Sequence, residues 1–406
     1  MKVLIISAAF PPMQAGETTN AVLLCEHLAD QGLEVHVLTT SGNGGTSNPS
    51  IQVHACMRDW SWSDVPRFVK ILKRCSPDAV LLMHIGWIYN HHPMITFAPT
   101  ISKKLLPRVP FVTRFENPIG APPPRRPSIL TRAFRKGIMR WLRVKDAGYN
   151  FGTLLRDSSC LIVLSERHRQ HVANREPGIV RKSVLIPPPP NMRLCSGNNG
   201  TTRKRGRETL GVKPDDFLVS YLGYIYSGKG VETLLRAFAL VRNQRSNVGL
   251  VMIGGGIDSR FSGGSSYIQE LHELSRQLGL DSKIKWTGEY AWDTDEASVY
   301  LRAADVCVLP FDTGVQLNNS SFAAAAAHGL PIITTRGATL EQPFIHQENV
   351  FLCAPKSPEA MAAAIKTVMD NPDLRARLRK GALKLAQERF SWESAIERTI
   401  ETFSQA

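Results

Sequence analysis

Short apolar runs that alternate with amphipathic segments most constrain how this chain can fold. Between the first two runs, residues 18–31 carry apolar side chains at helical spacing and end at Gly32, a residue that commonly ends a helix. Strands that alternate with helices predict parallel βαβ units, with helices on both faces of an α/β sheet. The strands predicted for the first half of the chain are Val3–Ser7, Glu34–Thr39, Ala79–His84, Phe111–Thr113 and Cys160–Ser165.

The same alternation restarts after four consecutive prolines at 187–190, which fit neither a helix nor a central strand. We therefore predict two doubly wound domains, at residues 1–192 and 211–390, joined by a polar, basic linker at 193–210. A last helix at about 391–406 is expected to pack back on the first domain. One larger sheet is the alternative, which the proline break disfavours. The strands predicted for the second half are Phe217–Leu222, Val248–Ile253, Ile284–Thr287, Val306–Pro310 and Ile332–Thr335.

Charge and cysteine content narrow the classes of function. The 406 residues carry a formal net charge of +14, which favours anionic partners: nucleic acid, a phosphate-bearing small molecule or an anionic membrane surface. Seven scattered cysteines without a CxxC pair indicate reduced thiols, no zinc or redox motif and a cytoplasmic location. The first apolar run is too short for a signal peptide, and no run is long enough for a transmembrane helix.

Two loops have the composition of phosphate-binding loops. Residues 223–230 read Gly-Tyr-Ile-Tyr-Ser-Gly-Lys-Gly before a helix, and both glycine backbone and a helix N-terminus attract anions. Lys229 would neutralise a phosphate there, or it is a solvated side chain in a glycine turn. Residues 311–321 precede an alanine-rich helix, and their hydroxyl and amide groups would cap that helix or bind a phosphate, or both, since a ligand phosphate can fill a cap site. The loop after the first strand lacks GxGxxG, which argues against a nicotinamide cofactor at that position.

The order of these elements resembles that of the retaining glycosyltransferases of family 4, from end to end of the chain. Phe10-Pro-Pro-Met-Gln-Ala-Gly-Glu17 looks like the opening loop of the family, and Gly32-Leu-Glu-Val-His-Val37 looks like its second strand. Residues 228–238 resemble the Lys-Gly…Leu-Leu-x-Ala-Phe signature, and His328-Gly-Leu-Pro331 and Phe390-Ser-Trp392 follow in the expected order. The resemblance implies the GT-B fold, in which two Rossmann-like domains face a cleft.

The resemblance also implies a nucleotide-sugar donor site. Lys229 falls on the lysine that contacts the donor diphosphate and is the expected catalytic residue. The backbone amides of Ser320 and Ser321 fall at a helix N-terminus that holds the same phosphates. Gly16 falls where backbone of the first domain approaches the donor, and Glu341 falls where a carboxylate binds the ribose. The expected donor-binding residues are Gly16, Gly223, Tyr224, Lys229, Gly255, Gly314, Gln316, Asn319, Ser320, Ser321 and Glu341.

Three positions depart from the family pattern. Tyr224 stands where the family usually has an arginine, and Gln316 and Ala324 stand where it has two glutamates. Phe115 stands in place of a histidine near the transferred sugar, with Glu116 next to it. The residues expected on the acceptor side are His84, Phe115 and Glu116.

The implied activity is retaining transfer of a sugar from a nucleotide-diphosphate donor to a glycan or lipid-linked acceptor, in cell-surface polysaccharide or glycoconjugate synthesis. No Asp-x-Asp motif lies in a fitting loop, so neither a metal nor another cofactor is expected. The departures leave an alternative, a protein that kept the fold and acts as a binding or scaffold partner. Another GT-B enzyme, such as an epimerase or a phosphorylase, is a further alternative.

Residues 125–145 carry eight basic side chains and no acidic one. At about 100° per residue, most of these bases lie opposite an apolar face that includes Trp141. The pattern predicts a basic amphipathic helix on an anionic membrane surface, at the inner face of the cell membrane. A helix with a solvated basic face is the alternative. Nucleic acid is not predicted as a partner, because no binding motif accompanies the charge.

Overall fold

The computed structural model describes residues 1–46, 48–119, 151–197, 199–256 and 264–404. The chain divides into two compact units. The N-terminal unit comprises Met1–Pro187 and the chain from Ala395 onward, and the second unit comprises Pro188–Ser394. The basic segment predicted at 125–145 lies outside the described residues. Among the helices that are described, none combines the length and the apolar character needed to cross a bilayer.

A parallel seven-stranded sheet forms the centre of the N-terminal unit. Its strands are β1 (Lys2–Ile6), β2 (Glu34–Thr40), β3 (Ile51–Met57), β4 (Ala79–His84), β5 (Phe111–Phe115), β6 (Cys160–Val163) and β7 (Ser183–Leu185). The strand order is β3-β2-β1-β4-β5-β6-β7. The direction in which strands are added reverses between β1 and β4, and ligands of such sheets bind outside the carboxyl ends of the strands at this switch point.

The second unit repeats this plan with six parallel strands. They are β8 (Phe217–Leu222), β9 (Val248–Ile253), β10 (Ile284–Gly288), β11 (Val306–Leu309), β12 (Ile332–Thr335) and β13 (Phe351–Cys353). The order is β10-β9-β8-β11-β12-β13, which puts the switch point between β8 and β11. Two separate sheets confirm the predicted pair of doubly wound domains, and the single larger sheet is wrong for the described residues.

Helices cover the faces of both sheets, so the central strands are buried on both sides and read as continuous apolar runs. The helices of the N-terminal unit are α1 (Gly16–Asp30), α2 (Val65–Cys75), α3 (Ala98–Leu105), α4 (Leu154–Asp157) and α5 (Glu166–Ala173). The next helices are α6 (Asn199–Leu210), α7 (Val231–Arg242), α8 (Gly264–Gln277), α9 (Glu296–Ala303), α10 (Ser320–Ala327), α11 (Pro358–Asp370) and α12 (Pro372–Arg389). The last helix, α13 (Trp392–Ser404), passes from the second unit into the N-terminal unit at Ala395.

The polar stretch that was predicted to be a linker at 193–210 is largely the helix α6, which packs against α9 in the second unit. Arg203 donates hydrogen bonds to Asp305, to the last two carbonyls of α9 and to the carbonyl of its C-cap residue, Ala304. Arg207 donates to the Ala303 carbonyl. At Gly206 a Cβ would lie 2.6 Å from the Val299 carbonyl oxygen, so the helices approach too closely for a side chain. The basic residues of the predicted linker therefore donate hydrogen bonds to carbonyl groups at the C-terminal end of a helix.

Candidate functional site

Residues 223–230, called here the glycine loop, join β8 to α7 at the switch point of the second sheet. The Gly223 N–H donates to the Ile253 carbonyl at 2.9 Å, and the Ile225 N–H donates to the Gly255 carbonyl at 2.8 Å. On the other side, the Asp312 N–H donates to the Gly228 carbonyl at 3.2 Å. These bonds hold the loop across the carboxyl ends of β9 and β11.

Glycine is required in this loop because backbone segments touch. Gly230 has φ +71°, and a Cβ there would lie 1.9 Å from the Pro310 carbonyl oxygen. Gly254 has φ +124°, and its Cβ would lie 2.4 Å from the Gly223 carbonyl oxygen. Real Cβ contacts are never this short, so the loop keeps this path only with bare backbone at these positions. The expected donor-site residues Gly223 and Gly255 are thereby placed at the strand ends.

Lys229 is half-buried, and aromatic rings hold its ammonium group. Nζ lies 5.0 Å from the ring centroid of Tyr226 and 5.1 Å from that of Phe311, within range of cation–π attraction. In the described part of the chain, Lys229 makes no ion pair with a carboxylate. Its positive charge is therefore oriented by neutral groups and is available to an anionic ligand.

Helix α10 begins beside the glycine loop. Its N-cap residue, Asn319, makes no side-chain cap, because Asn319 Oδ1 accepts the N–H of Gln316 at 2.7 Å. Ser321 lies in the first turn, with its Oγ 3.3 Å from where a Cβ of Gly223 would be. First-turn N–H groups without a side-chain cap, together with the helix dipole, favour an anion at this end. The side chain of Asn319 therefore does not cap the helix, and phosphate binding at Ser320 and Ser321 stays a prediction.

A second loop, residues 313–317, is held from behind by Glu341. The Glu341 side chain is 7% exposed, and its Oε2 accepts the Leu317 N–H at 2.6 Å. Gly314 has φ +86°, and its Cβ would lie 2.1 Å from the Gly337 nitrogen. The buried carboxylate thus bonds to main chain and positions the loop, and the ribose contact of Glu341 stays a prediction. Gln316 is half-buried beside it, and it contributes its backbone N–H to Asn319.

Tyr224 occupies the position where the resemblance implies an arginine. It is half-buried, and its carbonyl oxygen accepts the hydroxyl of the buried Tyr221 at 3.2 Å. This bond helps to fix the start of the glycine loop. The donor-site residues predicted in the second unit thus fall in two groups, one around the glycine loop and α10, and one around Gly314 and Glu341.

In the N-terminal unit, Glu17 and Glu116 form an acidic pair. Glu17 follows Gly16 in the first turn of α1, and its Oε1 accepts the Trp87 indole N–H at 3.2 Å. Glu116 follows β5, pairs with Arg114 at 3.0 Å and accepts the Asn20 amide N–H at 3.2 Å. Both lie near the carboxyl ends of the central strands. Gly16 and Glu116 are predicted from the sequence, whereas Glu17 is not, because only the folded chain brings it next to Trp87 and Glu116.

Burial dominates the electrostatics of the acidic pair. It raises the pKa of Glu17 to about 7, and the nearby Glu116 carboxylate raises the pKa further, while a backbone hydrogen bond lowers it. Burial also raises the pKa of Glu116, although Arg114 opposes the shift. A carboxyl group that titrates near neutrality is suited to proton exchange, so Glu17 joins the candidate functional residues.

His84 and Phe115, both predicted on the acceptor side, are core residues in this structure. Phe115 is 0% exposed, and its ring packs edge-on to that of His84 at 5.6 Å, so the prediction of an acceptor contact for the Phe115 side chain is wrong. His84 is 4% exposed, and burial lowers its pKa to about 4. Its Nδ1 has no hydrogen-bond partner among the described residues. The Glu116 N–H donates to the His84 carbonyl at 3.0 Å, so the main chain at the ends of β4 and β5 is joined next to the acidic pair.

We predict that Glu17→Gln stabilises the protein at alkaline pH. Because the folded state binds the Glu17 proton up to a pH of about 7 and the unfolded chain releases it near 4.5, the unfolding free energy decreases as pH rises between these values. The variant lacks this loss and is expected to be more stable than the parent by up to about 3 kcal/mol at pH 8, with little difference near pH 4. Urea unfolding at both pH values measures this. The exposed Glu388→Gln is the control, and an equal gain there would contradict the prediction.

Two family models match the chain. One is described as Glycosyltransferase Family 4 and matches residues 16–191, and the other is described as Glycosyl transferases group 1 and matches residues 202–385. The chain belongs to the family 4-like glycosyltransferases. The boundary between the two matches falls close to the start of α6.

Solved glycosyltransferase structures have the same fold. Sucrose-phosphate synthase from Thermosynechococcus elongatus superposes with a TM-score of 0.69 at 20% identity, covering 100% of this chain and 98% of that one. The Anabaena protein HepE in complex with UDP-glucose gives a TM-score of 0.71 at 18% identity, covering 100% of both chains. At these identities the likeness shows the fold, which is GT-B.

Curated relatives match over part of their length. The D-inositol 3-phosphate glycosyltransferase of Corynebacterium glutamicum is 24% identical over 259 residues, which is 62% of this chain and 59% of that protein. An uncharacterized glycosyltransferase of Methanocaldococcus jannaschii is 26% identical over 200 residues, 49% of this chain and 48% of its own. The chain thus spans about half to three fifths of the length of these two relatives.

Proposed function

We propose that this protein transfers a sugar from a nucleotide-diphosphate sugar to a glycan or lipid-linked acceptor, with retention at the anomeric carbon. The observation that carries the proposal is the N-terminus of α10, without a side-chain cap, beside the glycine loop, whose Lys229 makes no ion pair with a described carboxylate. A diphosphate matches both features, because helix amides and an ammonium group are complementary to its charge. The Anabaena relative that was solved with UDP-glucose adds support.

Transfer breaks the bond between the anomeric carbon and the diphosphate oxygen, so negative charge develops on the departing diphosphate. Lys229 and the first-turn amides of α10 would stabilise this charge without having to reorganise, which is the largest catalytic term in many enzymes. The loop held by Gly314 and Glu341 would support α10 from the other side. We further propose that these groups suffice without a metal ion, so that transfer continues in excess EDTA.

For the acceptor we propose the carboxyl ends of the strands in the N-terminal unit. Glu116 and Glu17 would provide hydrogen-bond acceptors for sugar hydroxyls there, and the buried His84 precedes this edge on β4. We also propose that the segment at 125–145 attaches the protein to an anionic membrane surface on the cytoplasmic side, which suits a lipid-linked acceptor in polysaccharide or glycoconjugate synthesis. Flotation with anionic and neutral liposomes tests the attachment. Equal binding to both, or to neither, contradicts it.

The proposed activity is tested with a panel of UDP-, GDP- and ADP-sugars. We expect thermal stabilisation by one nucleotide family, followed by release of the nucleoside diphosphate and a product whose anomeric configuration matches that of the donor by NMR. The alternative of a binding or scaffold protein predicts donor affinity in calorimetry with neither transfer nor hydrolysis. Stabilisation by no nucleotide sugar would contradict the proposed donor class, and an inverted product would contradict retention.

A further inference from the structure

Three potential metal ligands meet in the N-terminal unit, on elements that the proposed transfer does not use. His36 lies on β2, His54 on the edge strand β3, and Cys75 is the last residue of α2. His36 Nδ1 lies 2.9 Å from His54 Nε2, and Cys75 Sγ lies 3.6 Å and 3.3 Å from these two nitrogens. The three atoms thus form a compact triangle with one ligand atom at each corner.

The dimensions of this triangle fit a tetrahedral zinc site. With Zn–N bonds of about 2.0 Å and a Zn–S bond of about 2.3 Å, ligand atoms are separated by roughly 3.3–3.6 Å. Both sulfur–nitrogen distances already fall in this range. The nitrogen–nitrogen distance is shorter, because these two nitrogens face each other across a hydrogen bond between nearly coplanar rings, whose centroids are 5.2 Å apart. Tilting the rings in place would therefore open the triangle without moving the strands.

A carboxylate orients the buried histidine as in many metal sites. Glu34 Oε1 lies 3.0 Å from His36 Nε2 and 3.2 Å from the ammonium of Lys2. A carboxylate accepts a hydrogen bond, so Nε2 carries the proton and the lone pair of Nδ1 points to the triangle. Such carboxylate–histidine pairs fix the tautomer and raise the basicity of a metal-binding imidazole.

Burial shifts the pKa of two of the three proposed ligands, His54 and Cys75. His36 and Cys75 are 5% and 3% exposed, and His54 is half-buried, so that one side of the triangle is reached by solvent. Burial lowers the pKa of His54, and His36 and Arg74 lower it further. Burial also raises the pKa of the Cys75 thiol, so metal binding must displace its proton.

We propose that His36, His54 and Cys75 bind a zinc ion, with a water molecule from the exposed side as the fourth ligand. Binding releases the thiol proton of Cys75 to solvent and moves the His54 proton from Nε2 to Nδ1, so that a thiolate and two imidazole lone pairs face the ion. The bound zinc ion joins β2, β3 and the end of α2. Its expected effect is to stabilise the edge of the N-terminal sheet, away from the strand ends that bind ligands.

The test uses the full chain, freed of metal by a chelator and titrated with ZnCl2 against a chromophoric competitor. We expect one zinc per chain, a higher midpoint of thermal unfolding with zinc, and a thiolate-to-metal charge-transfer band when Co²⁺ replaces Zn²⁺. Cys75→Ser is expected to abolish the band and to weaken zinc binding more than about 100-fold. Glu34→Gln, which leaves all three ligands in place, is expected to weaken it by roughly 10–100-fold.

Cys195→Ser is the matched control, since it removes a partly exposed cysteine from the second unit and should leave the affinity and the band unchanged. His54→Asn provides a second ligand variant at a half-buried position, in case Cys75→Ser fails to fold. The proposal is overturned if the parent chain binds no stoichiometric zinc. It is equally overturned if the ligand variants bind zinc as tightly as Cys195→Ser does.

Discussion

Lys229→Ala is expected to lower kcat/KM for sugar transfer at least ~100-fold, the loss typical of removing one preorganised electrostatic group. The reason lies in the surroundings of the ammonium group. Tyr226 and Phe311 hold it by their rings, and no carboxylate in the described chain neutralises it, so its charge acts in full on a ligand phosphate. Its loss would leave the helix amides of α10 as the remaining support for the leaving group.

The measurement is steady-state transfer with the donor identified by the nucleotide-sugar panel, together with donor affinity from calorimetry. A larger loss in kcat than in affinity would show that Lys229 acts mainly in the transition state. Lys384→Ala is the control, because this lysine is 73% exposed on α12 and its ion pair with Glu388 is a surface contact. Near-normal transfer by Lys229→Ala would overturn the role that we assign to this lysine.

Gly230→Ala is expected to abolish donor binding and to lower the unfolding free energy by several kcal/mol. Its Cβ would lie 1.9 Å from the Pro310 carbonyl oxygen and 3.2 Å from Asp312 Oδ1, so the glycine loop must move away from the end of β11. That movement would carry Lys229 with it. A left-handed conformation adds about 1–2 kcal/mol for any residue with a Cβ.

Gly228→Ala separates the cost of the steric contact from the cost of the left-handed backbone conformation. Gly228 lies in the same loop with φ +94°, yet its Cβ would meet no atom within 4 Å, so only the conformational cost of about 1–2 kcal/mol applies. Urea unfolding and calorimetric titration of the donor measure both variants. Equal losses of stability and affinity in the two would contradict the claim that backbone contact at Gly230 positions the loop.

The central strands of both sheets were predictable because they are buried on both faces and therefore read as short apolar runs. Of the four edge strands in the described residues, β10 is predicted from the sequence, whereas β3, β7 and β13 are not. An edge strand is partly exposed and pairs on one side, so selection for apolar residues is weak. In β3, Gln52 and Ala55 face solvent, and the run lacks a continuous apolar character.

The second-unit site was predictable to the extent that it depends on local backbone. Glycines before a helix and a lysine between two of them specify a tight loop, and the structure places Gly223, Lys229 and Ser321 around one strand end. The roles of Glu341 and Glu17 were not predictable. Whether a carboxylate faces a ligand, a main-chain amide or another acid is decided by packing between distant segments, which periodicity does not encode.

The histidine–cysteine cluster illustrates the same limit for metal ligands. Zinc motifs that can be identified in a sequence have ligands a few residues apart on one turn or hairpin. Here 18 residues separate the two histidines and 21 separate His54 from Cys75, so they meet only after β2, β3 and α2 have assembled. The absence of a CxxC pair therefore does not indicate whether His36, His54 and Cys75 can bind a metal ion in the folded chain.

The path of α13 has a consequence for how the protein is made. Since the chain from Ala395 onward belongs to the unit that begins at Met1, the second unit is an insertion within the first in the linear order of the chain. During synthesis the inserted unit is complete before α13, the helix that its host still lacks, has left the ribosome. A stop codon near residue 394 would thus remove a helix from the N-terminal unit, the unit whose translation begins first.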